Sequence, residues 1–67
     1  MELIVNDKSQ QVTDNITADQ LLQELGWDSK QGVAVAVNDE VVPRENWQDQ
    51  QLSDQDRVII IQATQGG

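Results

Sequence analysis

Sixty-seven residues allow one small domain at most. Twelve acidic against four basic residues leave a net charge of −8, which a nucleic-acid backbone would repel. With no cysteine and no histidine, the chain offers no disulfide, no thiolate metal site, no Cys nucleophile and no His general base. Residues 2–6, Glu-Leu-Ile-Val-Asn, read as a first strand. The turn formers Asn6-Asp7-Lys8-Ser9 follow, and residues 10–13 read as a short returning strand, which makes a hairpin. Thr17 then opens a helix. Gln20 stands three residues later, as a capping box requires, and Ile16 and Leu21 have hydrophobic-staple spacing. Asp19 places negative charge in the first turn, where the helix dipole favours it. Leu21, Leu22 and Leu25 form the apolar stripe and Gly26 is the natural stop, giving a helix of about eight or nine residues. A helix that short needs a sheet to pack on.

Residues 33–38, Val-Ala-Val-Ala-Val-Asn, alternate as a strand with buried valines and outward alanines. Asn38-Asp39 is a turn, and Glu40-Val41-Val42 is a short strand halted by Pro43. Arg44-Glu45-Asn46-Trp47 reads as one turn of helix, with Trp47 plugging the end of the core. Residues 52–56 are a polar connection anchored by Leu52, and residues 57–63 form the last and most apolar strand. The order is β-β-α-β-β-β, an α+β arrangement with one helix over one face of a mixed sheet. The first and last strands are expected side by side in its middle. Alternation then turns Met1, Leu3, Val5, Val58 and Ile60 toward the helix. It turns Ile4, Ile59 and Ile61 to the opposite face, next to Ala34 and Ala36, and no second helix is available to cover them. That face is a candidate docking surface.

The chain closes with Thr64-Gln65-Gly66-Gly67. Glycine lacks a Cβ and adopts backbone conformations closed to other residues, so such a tail suits a narrow channel in a partner. It is expected as a flexible arm of about 13–14 Å carrying one reactive group, the Gly67 α-carboxylate, beyond a domain spanning residues 1–63. No apolar run approaches the roughly 20 residues of a membrane span, and no basic-then-apolar leader opens the chain, so a cytoplasmic protein is expected. The acidic balance also suits docking onto a basic partner surface.

The strand order with terminal Gly66-Gly67 resembles the β-grasp, ubiquitin-like proteins, and over essentially all 67 residues it resembles the bacterial sulfur carriers of the ThiS type. The segments carrying that resemblance are residues 33–38, Val42-Pro43-Arg44 with Trp47 three residues on, Leu52-Ser53-Asp54-Gln55-Asp56, and Gly66-Gly67. Two positions depart from the family pattern. Gln55 stands in the middle of a turn that is commonly Asp-Gly-Asp, which a turn is expected to tolerate, and Gln65 precedes the diglycine where a smaller residue is often seen. The resemblance implies a carrier in the making of the thiamin thiazole, not an enzyme. A ThiF-like adenylyltransferase would transfer AMP from ATP to Gly67, and a sulfur donor enzyme would convert the adenylate to a thiocarboxylate. A ThiG-like thiazole synthase would then receive the sulfur. Residues Thr64, Gln65 and Gly66 would thread the partner's active site, and no cofactor or metal would be bound by the chain itself, which has no phosphate-binding loop. The same fold and tail also occur in carriers serving molybdopterin, cysteine or tRNA thiolation, in ubiquitin-type modifiers, for which Lys8 and Lys30 are the available lysines, and in plain interaction domains with an inert tail.

Overall fold

The computed structural model describes residues 1–27 and 31–63. The expected tail, Thr64 to Gly67, lies outside the described residues, as does Lys30. Five strands and one helix follow the expected order: β1 (Glu2–Val5), β2 (Lys8–Gln11), α1 (Ala18–Glu24), β3 (Val33–Val37), β4 (Glu40–Val42), a 3-10 turn (Arg44–Asn46) and β5 (Arg57–Gln62). The sheet runs β2-β1-β5-β3-β4, with β1 and β5 parallel at its centre and every other pairing antiparallel.

Two corrections to the expected boundaries share one cause. Asn6 and Asp7 both adopt positive φ, 50° and 68°, and so make a two-residue turn of the I′ kind. The chain therefore reverses at once and β2 begins at Lys8, pairing with Val5, rather than at Gln10. Asn38 and Asp39 repeat the device with φ of 50° and 70°, so β3 ends at Val37 and Glu40 pairs with Val37. The two hairpins are built alike, and β5 lies between them.

Helix α1 forms where its caps dictate. The Thr17 hydroxyl accepts from the Gln20 backbone N–H at 3.2 Å, and the Gln20 side chain accepts from the Thr17 N–H at 3.0 Å. The N–H groups of Ala18 and Asp19 donate to Gln50 O and Trp47 O, so the connection after β4 satisfies donors the helix cannot satisfy itself. At seven residues the helix is shorter than expected; Leu25 caps it and Gly26 follows with φ of 80°. Leu21 and Leu22 pack into a core with Leu3, Val5, Val35, Val58 and Ile60, which are the alternate residues of three strands. Met1 and Leu25 pack against its rim.

Trp47 is 6% exposed and closes one end of this core. Its indole N–H donates to Val42 O at 2.9 Å, and the Arg44 guanidinium stands 5.2 Å from its ring centroid. The Val42-Pro43-Arg44 segment with Trp47 is thus a self-contained plug: Pro43 ends β4, and the tight 3-10 turn brings Arg44 and Trp47 onto each other.

Candidate functional site: the open sheet face and the end of β5

The face of the sheet opposite α1 carries the residues that alternation assigns to it. Ala34 pairs with Ile61 and Ala36 with Ile59 across β3 and β5, and Ala36 pairs with Val41 across β3 and β4. Ile61 is 60% exposed and Ile59 36% exposed. The two alanines are too small to fill the space between larger neighbours, so a shallow apolar hollow forms among Val41, Ile59 and Ile61 with Ala34 and Ala36 as its floor. Ile4 is on the same face but half-buried, with Ser9 and Arg57 as its cross-strand neighbours. The apolar surface is therefore centred on β3, β4 and β5.

Val41, 76% exposed, is the residue the sequence reading missed. Its signal was present: Val42 is the buried member of β4, so strict alternation puts Val41 on the open face. Three exposed β-branched side chains in one place leave an apolar patch that folding does not require, since none of them contributes to the core.

Strand β5 runs from this patch toward residues 64–67, and both of its edges are tied near the exit. On the β3 edge, Ala63 N–H donates to Gly32 O at 2.9 Å and the Gln62 side chain donates to Gln31 O at 3.1 Å. Gly32 has φ of 72°, and a Cβ there would lie 2.8 Å from Ala63 O, so only glycine allows this close approach. On the β1 edge, β1 turns away after Val5. Asn6 then continues the ladder with its side chain: its Oδ1 accepts from Ile60 N–H at 2.8 Å and its Nδ2 donates to Ile60 O at 3.1 Å. Asn38 does the equivalent at the start of the strand, where its Oδ1 accepts from Arg57 N–H at 3.0 Å.

The turn before β5 shows why glycine suits its centre. Gln55 has φ of 70°, a left-handed conformation disfavoured for a residue with a side chain, so Gln55 is strained here rather than merely tolerated. Its backbone N–H donates to Glu2 O at 2.6 Å and its side chain to the Glu2 carboxylate at 3.0 Å, which holds the turn against β1. Among the described residues, no three carboxylates stand close enough to hold a metal ion, and no helix is long and apolar enough to cross a membrane.

An acidic domain with one helix over a five-stranded mixed sheet, its parallel strands central, has the β-grasp architecture of the ubiquitin-like proteins. The comparisons with known proteins narrow that class. The ThiS family model matches residues 1–67. The chain is 35% identical over 68 residues to the sulfur carrier protein ThiS of Escherichia coli, with both chains covered completely. It superposes on the crystal structure of a thiamine biosynthesis protein (ThiS) from Geobacter metallireducens with a TM-score of 0.86 at 30% identity, both chains again covered in full. It is also 34% identical over 67 residues to part of a thiazole synthase of Paramagnetospirillum magneticum, matching all of this chain and 20% of that protein. The chain belongs to the ThiS family: it is a sulfur carrier of thiamin biosynthesis and not an enzyme.

Proposed function

We propose that the sulfur is carried on the Gly67 α-carboxylate, in the cytoplasm, as a thiocarboxylate destined for the thiazole ring of thiamin. A carboxylate is a poor acyl donor because oxide would have to leave. Attack of a Gly67 oxygen on the α-phosphorus of ATP, with pyrophosphate leaving, makes a mixed anhydride whose leaving group is AMP. A ThiF-like adenylyltransferase would bind the ATP, since this sequence has no glycine-rich phosphate loop with a lysine. A persulfide sulfur from a donor enzyme then displaces AMP, and a thiol cleaves the resulting S–S bond, leaving sulfur on Gly67. Nothing in that sequence asks for a side-chain nucleophile or base, which agrees with a chain holding no cysteine and no histidine.

One observation carries the reading. The apolar patch of Val41, Ile59 and Ile61 lies beside the end of β5, immediately ahead of Thr64, Gln65, Gly66 and Gly67. An enzyme seated on that patch, with Ile4, Ala34 and Ala36 at its margin and floor, would have those four residues within reach. A thiazole synthase containing a segment similar to this whole chain supports a ThiG-like enzyme as the recipient.

Intact mass spectrometry tests the proposal. After incubation with ATP, a ThiF-like enzyme and a persulfide donor, the chain should gain the mass difference between sulfur and oxygen, located at Gly67. Deletion of Gly67, or Gly66→Val, should abolish that gain while circular dichroism stays unchanged. An unmodified wild-type chain beside an enzyme that activates another carrier overturns the reading.

A further inference from the structure

We infer that Asn6 is a positioning residue for transfer at Gly67, because it fixes the last main-chain rung on the β1 edge of the strand that presents the tail. Strand β1 ends at Val5, so without Asn6 the N–H and C=O of Ile60 would face an edge with no backbone partner. The Asn6 side chain presents an acceptor and a donor in the same arrangement as a peptide unit, and both are engaged with Ile60. Its own backbone N–H reaches Val58 O at 2.9 Å, so three hydrogen bonds from one residue follow β5 toward its exit. On the opposite edge Gly32 holds Ala63 with no room for a side chain. The last stretch of β5 is thus tied at Ile60 on one edge and at Ala63 on the other.

Asn38 supplies the contrast that separates positioning from stability. It occupies the same place in the same kind of turn and also bonds β5, but at Arg57, the end of the strand farthest from the tail. Both asparagines brace β5, and only Asn6 braces it near Ile60. The inference rests on the Gly67 reading above.

The test is steady-state adenylation of Asn6→Gly and Asn38→Gly carriers by a ThiF-like enzyme, followed as pyrophosphate release, with amide exchange at Ile60. Glycine keeps the positive φ at both positions, removes the side-chain bonds, and adds the same freedom to the unfolded chain in each variant. A misplaced reacting group lowers kcat, whereas a smaller folded fraction raises the apparent KM for the carrier and leaves kcat at saturation. Asn6→Gly should lower kcat about tenfold with KM within about twofold of wild type. Its Ile60 N–H should exchange about tenfold faster. Asn38→Gly should leave both kinetic constants within about twofold of wild type. Asn6→Asp, which keeps the acceptor for Ile60 N–H and loses the donor, should fall between wild type and Asn6→Gly, and it is read by the same criteria if the glycine variant does not fold. An Asn6 variant with wild-type kcat, or two asparagine variants that lose kcat alike, overturns the positioning role while the Gly67 reading stands. Failure of the wild-type chain to be adenylated overturns both.

Discussion

The two hairpins of this domain are built from one plan and face solvent with opposite character. Each reverses through Asn-Asp with positive φ at both residues, and each sends its asparagine side chain to β5. The outer strand of the first hairpin, β2, is Lys-Ser-Gln-Gln and fully exposed; that of the second, β4, presents Val41. Polar side chains along an outer strand discourage other sheets from pairing there. An exposed valine next to Ile59 and Ile61 has no such protective reading, because it invites the contact that the lysine and glutamines deter. The difference leaves the β3-β4-β5 side apolar and the outer strand β2 polar, which is the asymmetry expected if partners dock, as proposed, on the former.

The largest effects should come from breaking that asymmetry. Ile61→Asp should weaken binding to a ThiF-like partner by about 2–4 kcal/mol, the range of an interface hot spot. Because Ile61 is 60% exposed, the thermal midpoint should hardly move. Val41→Asp, at the margin of the patch, should lose about 1–2 kcal/mol of binding. Ser9→Asp on β2 should change affinity by no more than about 0.5 kcal/mol. Titration calorimetry on the three variants decides the matter: equal losses at Ser9 and Val41 would mean that the two sides are not distinct.

A second pair of substitutions tests the shared part of the plan. Asn6→Gly removes two side-chain hydrogen bonds to Ile60. Asn38→Gly removes one to Arg57 and one to the Asp56 carboxylate at 3.0 Å. Each variant should lose about 1–2 kcal/mol in denaturant unfolding, since a net hydrogen bond contributes about 0.5–1.5 kcal/mol. If one asparagine proves neutral, the hairpins brace β5 unequally and the plan is not shared.

Much of this architecture was legible because its signals are local. The Thr17–Gln20 capping box, the Leu21-Leu22 stripe and the alternation in β3 and β5 all lie within a few residues of one another. They place the helix, the core and the open face correctly. The positions that escaped notice depend on distant partners. Gly32 looks like an ordinary loop glycine until Ala63 is laid against it, and the role of Asn6 appears only with Ile60, 54 residues away. Reading Asn6-Asp7 as a two-residue turn would have set the register of β2, because Asn is among the few residues that adopt positive φ at modest cost. The Val42-Pro43-Arg44 and Trp47 segment carries the family resemblance, yet in the fold it plugs the core, with Val42 buried while its neighbour Val41 faces the open side.

The turn entering β5 gives a smaller effect of opposite sign. Gln55→Gly should relieve left-handed strain of about 1 kcal/mol. Part of that gain is offset by the lost bond to Glu2 and by the greater freedom of glycine in the unfolded chain. A net stabilisation of about 0.5 kcal/mol would raise the thermal midpoint by about 2–4 °C in a domain this small. A lower midpoint would show that the Gln55–Glu2 contact outweighs the strain, and so that this turn braces β1 as firmly as the asparagines brace β5.

The smallest effect concerns pH and belongs to the first hairpin alone. The Met1 ammonium donates to the Asp14 carboxylate and to Val12 O, both at 2.9 Å, tying the start of β1 to the segment after β2. The hydrogen bond from the ammonium, reinforced by its charge, holds the Asp14 carboxyl below its ordinary value of 3.8. The same bond to Asp14 raises the ammonium above 8.0 against the opposing pull of desolvation. A lowered carboxyl stabilises the fold above its unfolded value and loses that contribution as pH falls through the folded one. A raised ammonium stabilises below its unfolded value and loses its contribution as pH rises through the folded one. The pair therefore acts fully between about pH 4 and pH 8 and fades on either side. Asp14 is exposed to solvent, where screening keeps such pairs weak. Asp14→Asn should accordingly lower the urea midpoint slightly at neutral pH, with the gap from wild type narrowing in strong acid and in alkali. A gap that stays constant across that range would mean that Asp14 acts through its shape and neutral hydrogen bonding, and that the first hairpin carries no charge-dependent anchor.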